Sequence, residues 1–328
     1  LPKSVIMEER GMTMNFQKSK ASFLSADGAS QIACYFYEPP AEPIGVLQIS
    51  HGMCEYMERY EEFADFLCGK GYVICGHDHL GHGASAQNPD GLGYFAKKDG
   101  AAFLPEDVRR LTQMAKKRWP GKPYFLLGHS MGSFIARQYL TLYGTELDGA
   151  VICGTAGPNP AAGAGKALAS LLCAVGLEKH RSIFLNSLAF GSYNRRFDAP
   201  KSKYAWLSRE DSIVRKYEQD PLCNYTFTAA GFRDLFALLI RVSAPEWAEK
   251  VPKNLPVFLI SGEDDPVGDY GKGVRKVEAM LRKAGIRDLS CRLYPGGRHE
   301  ILNETNRREV YEDVWEWLRE RLVSMDKR

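Results

Sequence analysis

The chain has 328 residues, 45% of them hydrophobic and 25% charged, close to globular averages, which excludes a disordered or fibrous protein. Its 43 basic and 40 acidic residues leave a formal charge of +3, too balanced, with no basic block, to point to a nucleic-acid partner. The length suits one sizeable α/β domain carrying an insertion.

Residues 1–10 are charged and lack the apolar core a signal peptide needs, and no uninterrupted apolar run reaches transmembrane length. Segments 16–24 and 29–37 alternate in polarity around the Ala26-Asp27-Gly28 turn, which predicts an antiparallel hairpin. After Pro39-Pro40 the run 44–50 is apolar enough to be a central strand, and it delivers His51-Gly52-Met53-Cys54-Glu55-Tyr56. A Gly directly after a buried strand lets the backbone pass close to a neighbouring loop, where an N–H can face a substrate oxygen. Met53 is the residue placed to supply it.

A helix over 58–69 and a strand over 72–75 lead to His77-Asp78-His79-Leu80-Gly81-His82-Gly83-Ala84-Ser85. Three histidines this close invite a metal reading, yet Gly81 and Gly83 mark a tight loop, and no carboxylate or further histidine is spaced to complete a site. The expectation is a structural loop without metal, tied by the Asp78 and Ser85 side chains to backbone amides.

A helix over 104–118 leads through Trp119-Pro120-Gly121 into Tyr124-Phe125-Leu126-Leu127-Gly128-His129-Ser130-Met131-Gly132, around which the chain is organised. A short apolar strand ends in a Gly and a helix-compatible segment begins at once. Ser130 therefore sits at the tip of a sharp turn, where only small side chains fit at Gly128 and Gly132. Such a turn exposes the hydroxyl above the positive end of the following helix, a geometry that suits a nucleophile. At a glycine usage of about 7% the bare Gly-x-Ser-x-Gly pattern arises by chance in roughly one chain in ten of this length; the strand before it and the helix after it give it weight.

The next strand, 147–153, extends a repeat of strand, helix and strand with short links, the pattern of a mostly parallel central sheet with helices on both faces. The rhythm then breaks. The predicted organisation is a core of 1–154 and 256–328, interrupted by a helical cap at 155–255 with helices over 161–177, 209–220 and 229–242. In the last of these, Phe232, Leu235, Phe236, Leu239 and Ile240 recur at helical spacing. Most are expected to be core and some to line an acyl pocket. Transient membrane or micelle contact through 161–177 is the weaker expectation, because few polar residues define an interfacial face there. The sheet resumes with a strand over 256–261 and a loop carrying Asp264, Asp265 and Asp269. A helix over 273–284, a strand over 289–294, a loop carrying His299 and a helix over 305–322 close the chain.

Ser130, Asp265 and His299 all follow the C-terminal ends of predicted strands, where an open α/β sheet places its ligand site. The order Ser, acid, His is that of the α/β-hydrolases. His299 would accept the Ser130 proton, a carboxylate on its far ring nitrogen would fix the tautomer, and the backbone amides of Met53 and Met131 would hold an oxyanion. Of the seven histidines, His51, His77, His79 and His82 lie in the two glycine loops. His129 adjoins the nucleophile but points away along the turn, His180 lies in the cap, and His299 alone follows the last strand. Asp264, read as a turn residue, and Asp269 compete with Asp265. The eight cysteines are scattered singly and read as small buried hydrophobes in a reducing compartment, so a cytoplasmic location follows.

Together His51-Gly52-x-x-Glu55 with Arg59-Tyr60, His77-Asp78-His79-x-Gly81-His82-Gly83-x-Ser85, Gly128-His129-Ser130-Met131-Gly132, Asp265 and His299 resemble the monoacylglycerol lipase and lysophospholipase family of serine hydrolases. The resemblance covers the core and only loosely the cap. It implies the α/β-hydrolase fold, a Ser130–Asp265–His299 triad, an oxyanion hole at Met53 and Met131, no cofactor, and hydrolysis of a single-chain lipid ester through an acyl-enzyme. Tyr56 departs from the family, which usually has His after the Glu. An aminopeptidase or a small-ester or thioester hydrolase on the same fold competes with this reading, as does a non-catalytic ligand binder. A peptidase needs an acidic group for the substrate amine, for which the cap offers Glu210, Asp211, Glu218 and Asp220.

Overall fold

The computed structural model describes residues 14–197 and 202–326, so the charged stretch 1–10 lies outside the described residues. The strands are β1 (Gln17–Leu24), β2 (Gln31–Glu38), β3 (Gly45–Ser50), β4 (Tyr72–His77), β5 (Tyr124–His129), β6 (Gly149–Cys153), β7 (Val257–Gly262) and β8 (Leu289–Tyr294). They form one sheet in the order β1-β2-β4-β3-β5-β6-β7-β8. β2 pairs antiparallel with β1 and β4, and every other pairing is parallel. This is the α/β-hydrolase sheet expected from the sequence.

The helices are α1 (Glu61–Cys68), α2 (Gly100–Arg118), α3 (Met131–Tyr143), then α4 (Ala161–Ala174), α5 (Ile183–Phe190), α6 (Asp211–Gln219) and α7 (Ala229–Ser243) between β6 and β7, and finally α8 (Lys272–Lys283) and α9 (Arg307–Asp326). Two apolar clusters, one on each face of the sheet, follow from the strand period of two. Val46 faces the cluster that holds α2, α3 and α8, whereas its neighbours Leu47 and Ile49 face the cluster built with α1 and α9. Gln48 is polar at the sheet's centre, yet its amide donates to Val108 O at 2.9 Å and accepts from Thr112 and Tyr124 hydroxyls at 2.7 and 2.6 Å. It is therefore buried without an unmet hydrogen bond.

Three local differences from the sequence expectation have physical reasons. α2 starts at Gly100 and carries Pro105 inside it, because Ala101, Leu104, Val108, Leu111 and Ala115 continue one buried stripe across the proline. The 58–69 helix divides into a 3₁₀ turn, Met57–Tyr60, and α1. α5 escapes the periodicity argument because Ile183 and Phe184, at its start, are 78% and 67% exposed, so no single apolar stripe marks it. Its signal is the cap: Ser182 Oγ accepts the Leu185 N–H at 3.2 Å.

Between β6 and β7, α7 packs on α2, α3 and α4. Among the described residues no helix is long and apolar enough to cross a membrane. All eight cysteines are free, and six are buried.

Candidate active site

Ser130 joins β5 directly to α3, with φ 54° and ψ −121°. A non-glycine residue there must be held by its surroundings, and the Ser130 N–H donates to Cys153 O at 3.0 Å. A Cβ added at Gly128 would lie 2.4 Å from Gly132 O, and one at Gly132 would lie 2.0 Å from Ser50 O at the end of β3. Both positions therefore admit only glycine, and the second fixes the turn against the adjoining strand rather than against itself.

β8 is three strands away from β5, so the loop after it must cross back over the sheet edge. It passes Gly262 so closely that a Cβ there would meet Gly297 O at 2.0 Å. The crossing brings His299 Nε2 to 2.8 Å from Ser130 Oγ. Its Nδ1 lies 3.0 Å from each carboxylate oxygen of Asp265. Asp265 is fully buried; Oδ1 accepts the Val267 N–H at 2.9 Å and Oδ2 the Ser261 hydroxyl at 3.2 Å. Of its competitors, Asp264 is exposed and Asp269 lies on the wall of the cavity above Ser130.

The inserted segment grips the histidine loop. Trp206 O accepts the His299 N–H at 3.3 Å, Leu207 O accepts the Glu300 N–H at 2.7 Å, and the Trp206 ring lies 5.1 Å from the imidazole. The cavity itself has a volume of about 840 Å³; Met53 and Met131 line it beside Ser130, and Phe134, Leu235, Phe236 and Leu239 form an apolar stretch of its wall.

Below the site lies a charged network. Glu55 accepts hydrogen bonds from the Gly52 N–H, from the Tyr60 hydroxyl at 2.9 Å and from Arg59 at 3.0 Å, and meets His129 Nδ1 at 3.0 Å. Arg59 also forks onto Glu300 at 2.9 and 2.8 Å. Burial alone would raise the Glu55 carboxyl, but the hydrogen bond and charge of His129, with Arg59, outweigh it and hold Glu55 well below the usual range. Burial likewise disfavours a charged His129, and Glu55 reverses the sign, raising the imidazole above its ordinary value. Two carboxylates thus face Arg59 and a protonation-prone histidine, a paired arrangement that a buried site of this kind requires.

Residues 41–306 match the family described as Serine aminopeptidase, S33. The chain belongs to that family. It is 28% identical to a monoacylglycerol lipase of Mycolicibacterium smegmatis over 92% of this chain and 97% of the relative. With human monoglyceride lipase the identity is 27% over 92% and 90%. A thermostable carboxyl esterase from Bacillus coagulans, solved with glycerol, superposes with a TM-score of 0.88 at 32% identity, covering 94% of this chain and all of that one. This S33 family member is therefore an α/β-hydrolase similar to monoglyceride lipases, and a carboxylic ester hydrolase.

Several residues of this S33 family site had no role in the sequence reading. Glu55, Arg59 and Tyr60 were visible as a motif, and their signal was an acid and an arginine four residues apart beside a glycine loop. Glu300, directly after His299, gave no signal, because its partner Arg59 is distant in sequence. In the histidine loop the Asp78 and Ser85 side chains are tied to backbone amides, as expected. Asp78 accepts the Met57 and Ala84 N–H groups at 2.9 and 2.8 Å, and Ser85 Oγ accepts the Ala33 N–H at 2.9 Å while donating to Asp78 O at 2.6 Å. His77, His79 and His51 are linked to one another and to Ser50 by hydrogen bonds of 3.0–3.1 Å. Ser85→Ala should cost about 1–3 kcal/mol, since it strips two backbone groups of a partner. Chemical denaturation should show a lower midpoint, with kcat unchanged.

Proposed function

We propose that the protein hydrolyses esters of single-chain lipids, of monoacylglycerol or lysophospholipid type, through an acyl-enzyme on Ser130. The observation that carries this reading is the run of contacts Ser130–His299–Asp265 at the base of an 840 Å³ cavity with an apolar wall. That volume lies in the range of about 300–1,000 Å³ typical of small-molecule sites.

In the acylation step Ser130 Oγ attacks the ester carbonyl carbon and His299 Nε2 takes its proton. Asp265 holds Nδ1–H and stabilises the imidazolium. The oxyanion is received by the N–H of Met131, which as the first residue of α3 has no intrahelical partner, and by the N–H of Met53. The imidazolium then gives its proton to the departing alcohol. In deacylation a water takes the place of that alcohol: it gives its proton to His299 as its oxygen bonds to the acyl carbon, the bond from that carbon to Ser130 Oγ then breaks to release the acid, and His299 returns the proton to Oγ.

Residues 155–255 act as the cap in this reading. Phe236 and Leu239 of α7 are suited to an acyl chain, and Leu171, Val175, Ile183 and Phe184 are exposed on the same segment, which suits brief contact with a lipid aggregate. Eight free thiols fit a cytoplasmic location.

The family's description keeps a peptidase in view. What weighs against it is that Glu210, Asp211, Glu218 and Asp220 are absent from the cavity wall. The wall's Glu55 and Glu300 are ion-paired with Arg59, leaving Asp269, among the described residues, to bind an amine. A p-nitrophenyl ester series from acetate to palmitate tests the proposal. The expected rate peaks at medium or long chains. Activity confined to acetate, or faster cleavage of an aminoacyl p-nitroanilide, would overturn it.

A further inference from the structure

We propose that Tyr56 is a positioning residue that sets the oxyanion loop from the inserted segment, by way of Asp220. The inference rests on the reading of Ser130 as nucleophile and of the Met53 N–H as an oxyanion donor.

The loop from Gly52 to Tyr56 is held at both ends. At one end the Gly52 N–H donates within the loop to Glu55 Oε1, which the Tyr60 hydroxyl and His129 Nδ1 hold at 2.9 and 3.0 Å, and just past the other the Met57 N–H donates to Asp78 Oδ1. Between these pins Cys54 adopts φ 54°, a left-handed conformation that a residue with a Cβ keeps only when its neighbours impose it. Met53 lies between the Gly52 pin and this strained residue, on the stretch that both hold.

Two hydrogen bonds tie the same loop to the inserted segment. The Tyr56 hydroxyl donates to Asp220 Oδ2 at 2.7 Å, and the Cys54 thiol donates to Tyr225 O at 3.3 Å. Asp220 is itself fixed, because its Oδ1 accepts the Leu222 N–H at 2.8 Å and its carbonyl accepts the N–H groups of Cys223 and Asn224. The Arg59 guanidinium lies 5.0 Å from the centre of the Tyr217 ring, a third contact between the same two stretches. Tyr217, Asn224 and Tyr225 also line the cavity. A substrate group seated against them therefore bears on the stretch that holds the Met53 N–H, and the hydrogen bond from Tyr56 to Asp220 links the two.

The test compares wild type with Tyr56→Phe, Asp220→Ala and the double variant. For each, kcat and KM are measured on one p-nitrophenyl ester, with the affinities of an alkyl trifluoromethyl ketone and of the matching alkyl ether. The ketone is attacked by Ser130 Oγ, its π pair moves to oxygen, and the serine proton passes to His299, so the adduct presents an oxyanion; the ether presents none. Tyr56→Phe should lower kcat about tenfold with KM within about twofold, weaken the ketone about tenfold and leave the ether unchanged. Asp220→Ala should do the same, and adding Tyr56→Phe to it should change nothing further. Unchanged kcat in both single variants would overturn the proposal, and so would equal losses for ketone and ether, the mark of a collapsed pocket. Wild type binding the ketone no more tightly than the ether would instead refute the acyl-enzyme reading itself, and the proposal with it.

Discussion

Ser130→Ala should lower kcat/KM for a p-nitrophenyl ester by about 10⁵- to 10⁶-fold, a loss of the size seen when the nucleophile of a serine triad is removed. Labelling by a fluorophosphonate probe should disappear with it. The substitution deletes only Oγ and its 2.8 Å contact with His299. Alanine inherits the same φ of 54°, so the backbone strain is unchanged and the thermal midpoint should barely move. Residual rate above that of water would come from the cavity and the Met53 and Met131 amides, which do not depend on the hydroxyl. Asp265→Asn, which keeps the volume but removes the charge facing Nδ1, should cost about 10⁴-fold. Stopped-flow kinetics on the three proteins would decide the matter: a Ser130→Ala enzyme within tenfold of wild type means that another residue is acylated.

The sequence made the sheet readable because parallel strands buried on both faces are short apolar runs, and β3, β5, β6 and β7 are buried at every position. Ser130 was readable for a related reason: its neighbours are constrained by sterics, and two glycines record that constraint. Asp265 was harder, since Asp264 stands beside it and no pattern separates adjacent aspartates. Only the turn after β7 decides which one enters the fold and which stays in solvent. The Glu55–His129–Arg59–Glu300 network was out of reach because it is closed by a contact between residues 241 apart, and nothing local encodes it. Tyr56 is the instructive case. The sequence marked it as a departure without a consequence, and the consequence, its hydroxyl on Asp220, lies in the segment where the resemblance was weakest.

Acidification from pH 7 to pH 5 should lower the unfolding free energy by about 4–6 kcal/mol, through the buried histidines. Burial pushes His51 and His77 down to about 3 and His82 to about 4, and burial together with the neighbouring histidines pushes His79 well below its ordinary value. At pH 5 these groups stay neutral in the fold, while the unfolded chain protonates them below about 6.5. The unfolded state then binds more protons, so stability rises with pH across this window and is lost on going down, by about 2 kcal/mol per histidine at pH 5. Buried acids oppose the loss. Asp78 and Asp107, raised by burial to about 6, take up protons in the fold first and return about 1 kcal/mol each; Asp234 is raised by the same cause and acts in the same direction. His129, raised by Glu55, contributes its stability fully below 6.5 and adds no loss. Glu55, held low by His129 and Arg59, keeps its contribution until the pH falls below the ordinary carboxylate value. Urea denaturation at pH 7, 6 and 5 measures the balance. A free energy that stays level or rises toward pH 5 would mean that His51, His77, His79 and His82 accept protons within the fold, and that the four rings are reached by water rather than sealed from it.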